Sequence, residues 1–170
     1  MNAPLMALLR LVHILAAIFW LGATLTLGGF VLPAMRNAPG AGALWRAVMQ
    51  RHRLQLWMNI SMTLAILAGF ALYGIDSATS SGAFNRSAMG KVLGLGAILA
   101  IAAAGVMGAV TQRAGRQLAE LGDGAAVNSG TATRASVDTE ALLARLRRGL
   151  AITNVLLLLS ATTMAVARYL

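Results

Sequence analysis

An all-α integral membrane protein, a four-helix up-down bundle with both termini on the outer side, is the fold class this sequence predicts. Three observations predict it. Hydrophobic residues make up 58% of the 170 and charged residues only 11%, about half the charged share of a soluble domain. Four apolar stretches approach or exceed the ~20 residues that a helix needs to cross the hydrocarbon. The charges avoid those stretches and gather in the connections. Disorder and an ordinary soluble globule are excluded on these grounds. The chain has no cysteine, which excludes disulfides, iron–sulfur clusters and thiolate chemistry.

The four helices are expected over about 5–33, 54–75, 91–121 and 137–168, within one domain spanning 1–170. Long, continuous runs rich in Leu and Ala argue against strands. Helices also satisfy their own backbone groups in lipid. The first run is too long for a signal-peptide core and continues to Pro33, so it is read as a retained helix. Pro39, Gly40 and Gly42 break the chain after it, and a short surface helix is expected around Leu44–Gln50. The small, polar stretch 122–135 is expected to be a flexible cytoplasmic loop. Ser136 or Asp138 is the expected N-cap of the last helix, which opens on an amphipathic lead-in.

Charge sets the orientation. The chain carries 14 basic and 5 acidic residues, a net charge of +9. Arg36, Arg46, Arg51 and Arg53 sit between helices one and two. Arg113, Arg116, Arg134, Arg145, Arg147 and Arg148 sit between helices three and four. Only Arg10, Arg86, Lys91 and Arg168 lie on the other side. The positive-inside rule then places both longer connections in the cytoplasm. The basic excess is a topology signal and an attraction to anionic lipid, not a nucleic-acid footprint, since no reading motif is present. The expected setting is a bacterial-type inner membrane, multi-pass, with the lipid bilayer as partner and a homo-oligomer or a partner membrane subunit as further options. A weak internal repeat is visible: Arg53 precedes Asn59 as Arg148 precedes Asn154, and Tyr73 and Tyr169 close the two helices.

His13 is the most informative residue. It sits about 12 Å into the first helix, where an ionisable group is costly unless paired or functional. Neutral imidazole ligates haem iron or copper. Arg10, Ala17 and Trp20 share its face. A structural alternative is a histidine bonded to a neighbouring helix. Lys91 is a candidate for an anionic group such as a haem propionate, with interfacial snorkelling as the alternative. His52 lies at the opposite side of the membrane, so the two histidines cannot share one haem. Met6, Met89 and Met164 fall near the depth of His13 and suit copper(I), although scattered methionines also fill gaps. Gly22, Gly28, Gly29, Gly94, Gly105 and Gly108 are expected at close helix contacts. Asn59, Thr63, Thr153, Asn154, Thr162 and Thr163 are expected to bridge helices or to line a polar path. No carboxylate lies inside a span, which disfavours an Asp or Glu proton relay.

His13-Ile-Leu-Ala-Ala-Ile-Phe-Trp20-Leu-Gly22, with Lys91 opening the third helix and Thr-Gln-Arg113-Ala-Gly-Arg116 closing it, resembles the CopD-like membrane proteins. It is also similar to the HemJ-type proteins. The first resemblance implies copper handling at an outer-side site, with His13, Met6, Met89 and Met164 as metal candidates. The second implies a bound haem b and protoporphyrinogen oxidation, with His13, Lys91, Trp20 and Arg10 around the cofactor. The chain departs from the HemJ-type pattern after helix one, where Val31-Leu32-Pro33-Ala34-Met35-Arg36 stands in place of a tyrosine–histidine segment. A CopD-like metal-handling protein is the leading expectation. A haem-binding redox protein or HemJ-type enzyme, and a non-catalytic subunit or scaffold, are the alternatives.

Overall fold

The computed structural model describes residues 3–35, 40–124 and 132–170, with side chains described up to 121 and from 138 onward. The described chain is helical, and four of its helices are long and apolar enough to cross a membrane. We number the helices α1 (Ala3–Met35), α2 (Ala41–Arg46, continued by Ala47–Arg51), α3 (Leu54–Thr79), α4 (Ala83–Arg86), α5 (Ala88–Val106, continued through Met107–Thr111 and Gln112–Gly124) and α6 (Ala132–Ala167). α1, α3, α5 and α6 are the spans. This is a multi-pass membrane protein built as an all-α, up-down four-helix bundle.

Each boundary has a local cause. α1 runs two residues past Pro33. The proline lacks an N–H, and it follows a wide turn over Leu27–Val31 in which bonds skip five residues, so that the Leu32 N–H reaches the Leu27 carbonyl. α3 begins after Arg53, held at φ 54°, and extends to Thr79, beyond the expected end near 75. Ser81 and Gly82, both at positive φ, then reverse the chain. α5 starts at Ala88, ahead of Lys91, because the Ser87 hydroxyl accepts the Gly90 N–H at 3.0 Å. Parts of the stretch expected as a loop over 122–135 are helical: helix continues to Gly124 and resumes at Ala132. Residues 125–131 lie outside the described residues. Ser136 and Asp138 therefore sit inside α6 and do not cap it. Arg148 likewise lies within a continuous helix, so it does not open one as Arg53 does.

The spans pack as two pairs, α1 along α3 and α5 along α6. Side-chain amides join the pairs. Gln112 Nε2 of α5 donates to Asn59 Oδ1 of α3 at 2.9 Å. Asn154 Nδ2 of α6 donates to the Thr24 carbonyl of α1 at 3.3 Å. Both asparagines of the suspected repeat thus bridge helices. The threonines divide differently. Thr162 and Thr163 donate to carbonyls of their own helix, Thr63 is exposed, and Thr153 is buried without a partner.

One end of the bundle is closed. α2 does not lie loosely on a surface: Ala41, Trp45 and Met49 are buried with Leu118, Leu146 and Leu150 in one apolar core. Trp45 rests on Gly115, where an added Cβ would stand 2.8 Å from the indole nitrogen. Arg46 Nη2 donates to the Ala119 carbonyl at 2.9 Å. Higher up, Trp20, Ala103 and Leu157 form a second, smaller cluster. Glycine serves close approach at other places than expected, Gly69, Gly96, Gly115 and Gly149 among them. Of those expected, Gly28 meets Leu150 and Asn154, and Gly94 meets Tyr73, but Gly22, Gly29, Gly105 and Gly108 have no such neighbour.

Gly115→Val forces a branched side chain into the Trp45 ring. It is expected to lower stability by about 1–3 kcal/mol, whereas Gly105→Ala, with open space around it, leaves it unchanged or higher. Thermal unfolding in detergent, followed by circular dichroism, compares the two.

Candidate functional site

Opposite the closed end, the two helix pairs part around a cavity of about 880 Å³ lined by all four spans. That volume lies in the range of sites for drug- and cofactor-sized ligands, roughly 300–1,000 Å³. Its walls are mainly Ile, Leu, Ala, Phe and Met. Trp20, only 2% exposed, forms part of the floor with Leu157.

His13 lines this cavity from α1. Its Nδ1 lies 2.7 Å from the Ala65 carbonyl of α3. A carbonyl only accepts, so Nδ1 carries the proton and donates it. In the neutral ring, Nε2 is then left with the lone pair. This is the arrangement that orients histidine ligands in metal sites, where the second ring nitrogen is fixed by a carbonyl or carboxylate. The ring fits because residue 69 is glycine: a Cβ there would stand 2.9 Å from His13 Cε1. Ala65, Ala68 and Gly69 form the small-residue face of α3 that admits it.

The cavity mouth is polar. Arg10, Asp76 and Arg168 line it. Arg10 and Arg168 are exposed, and the Arg168 guanidinium lies 5.6 Å from the centre of the Tyr169 ring. Tyr73 donates to the Gly90 carbonyl at 3.3 Å and meets Phe84 edge-on at 5.3 Å. That arrangement ties α3 to the start of α5 beside the opening.

The sequence-derived candidates separate into two groups. His13, Trp20, Arg10, Met89 and Met164 all line the cavity. Lys91 is exposed and Met6 half-buried, and neither lines it. Arg168, in contrast to Lys91, lines the cavity. Gly69 and the Ala65 carbonyl were not legible beforehand, because nothing in sequence pairs residue 13 with residue 65. Among the described residues no three His, Cys, Asp or Glu side chains group as a metal cluster. His52 is exposed at the closed end.

Compared with known proteins, the chain matches no family model, no curated protein and no solved structure.

Gly69→Ala pushes on the imidazole and breaks its bond to Ala65, a loss of about 1 kcal/mol. The His13 Nδ1 resonance in ¹⁵N NMR is expected to move in that variant. It should stay in place in Gly74→Ala, where no neighbour is close.

Proposed function

We propose that this protein holds a haem b-type cofactor in the cavity, which His13 would ligate through Nε2, and works as a membrane redox protein. One observation carries the reading: a histidine whose Nδ1 is fixed at 2.7 Å from a main-chain carbonyl lines an apolar cavity of about 880 Å³. A lone metal ion needs a far smaller space and several converging ligands. A flat, apolar macrocycle needs one strong ligand, greasy walls and a cationic rim for its carboxylates. Arg10 and Arg168 supply that rim. The bound group would supply one-electron chemistry. The chain's own residues position it, exclude water from one face and balance its charge. The similarity to the HemJ-type proteins points the same way. The open end then faces outward, as the arginines of the closed end require under the positive-inside rule, and a bacterial inner membrane is the setting we infer.

Met89 and Met164 line the same cavity as His13. That placement favours copper handling as the second reading, since thioether and imidazole suit copper(I).

Oxidised and reduced visible spectra of the detergent-purified protein decide between them. The haem reading expects a haem b spectrum that is lost in His13→Ala and kept in His52→Ala. A blank spectrum after expression with ample haem overturns it. Stoichiometric copper that falls in Met89→Leu/Met164→Leu then supports the second reading.

A further inference from the structure

Between the cavity floor and the closed end, the bundle interior holds buried polar atoms with no protein partner. They are Trp20 Nε1, Thr111 Oγ1, Thr153 Oγ1 and Asn154 Oδ1. Trp20, Thr111 and Thr153 are 2%, 5% and 0% exposed. A buried donor or acceptor left unmade carries its full desolvation penalty, and hydrocarbon offers no relief. An interior with four such atoms calls for a bound species that pairs with them.

The four atoms belong to α1, α5 and α6 and lie at successive heights of the bundle. Trp20 packs on Leu157 at the cavity floor. Thr153 lies one helical turn from Leu157 along α6. Asn154, between the two, is fixed by its Nδ2 bond to Thr24, so its Oδ1 is left over. One more turn along, the Thr111 hydroxyl lies against Gly149, where an added Cβ would be only 2.5 Å away. The run covers about 12 Å of helix. Beyond it, Gln112, next in sequence to Thr111, and Gln55 at the start of α3 both donate to Asn59 Oδ1. The two wide turns of the long helices flank this column. Leu27–Val31 places Gly28 against Asn154, and Met107–Thr111 ends on Thr111 itself. Such turns disturb the ordinary carbonyl pairing of a helix and recur at functional positions.

We propose that this column is hydrated and forms a proton path from the closed end to the floor of the cavity. The unpaired set mixes an N–H donor, an amide oxygen acceptor and two hydroxyls that both give and accept. Water complements that mixture, whereas a cation would satisfy only the oxygens. Internal waters make about three hydrogen bonds each to such groups. A proton entering beside Thr111 passes along water and the hydroxyl oxygens, each taking one proton on one side and releasing one on the other, while the amides and the indole N–H hold the waters in place. No carboxylate is needed for this. The path does not depend on what the cavity holds.

Full-length protein in lipid bilayers, labelled with ¹³C and ¹⁵N, tests this by solid-state NMR with transfer from water protons. Transfer is expected at Thr153 and at the Trp20 indole N–H. Thr153→Val, equal in size, should abolish the Trp20 transfer, and Thr153→Ser should restore it. No transfer at Thr153 means a dry interior and overturns the proposal. Unchanged transfer at Trp20 in Thr153→Val overturns the continuity of the column. Should Thr153→Val fail to fold, Thr111→Val makes the same test. Vesicles with a trapped pH dye read the function. Wild type should dissipate an imposed pH step faster than protein-free vesicles, and Thr153→Val should return to their rate. Equal rates for wild type and variant overturn the proton role.

Discussion

The seating of α2 against the end of α5 is the constraint on which the rest of the architecture depends. In lipid, apolar side chains gain nothing by leaving one partner for another, so helices associate through close packing and a few polar bonds. Trp45 on Gly115 and the Arg46 bond to Ala119 supply both at one end. They join the loop after α1 to the extension of α5, and so tie one helix pair to the other. With that end fixed, the pairs do not need to touch along their whole length. The cavity exists because the contact that holds the bundle together lies at the far end from it.

The same division explains where polar groups stand. Asn59 with Gln112 and Asn154 with Thr24 bridge the pairs below the cavity. Ser160 Oγ donates to the Gly96 carbonyl at 2.7 Å within the α5–α6 pair, as His13 bonds Ala65 within the α1–α3 pair. Each pair therefore carries one side chain bonded to the backbone of its partner helix. Only one of the two is an imidazole with a second nitrogen to offer.

Much of this was legible in the sequence, and the reasons are physical. Four apolar runs bounded by arginines specify spans and alternation directly, because bilayer thickness sets the length. His13, Trp20 and Arg10 could be grouped because three- and seven-residue spacings put them on one helical face. What crossed between helices could not be read. Lys91 shared a depth with His13 but not a face with the cavity, and helical depth alone does not give the rotation of α5. Met6 failed for the same reason, whereas Met89 and Met164 turned inward. The wide turns at Leu27–Val31 and Met107–Thr111 carry no signal stronger than a glycine at the second position.

The bond from His13 to Ala65 does more than place a ring. A free imidazole near an apolar cavity would rotate between orientations, and a ligand would have to arrest it on binding. Here the ring is held by the carbonyl on one side and confined by Gly69 on the other, so that ordering is already complete before a ligand arrives. The carbonyl also withdraws Nδ1 from any other use and strengthens Nε2 as a donor to metal. A histidine kept only to join two helices would need the bond and the room at Gly69, but not the cavity beside it. That cavity is the ground on which we propose His13 as a ligand.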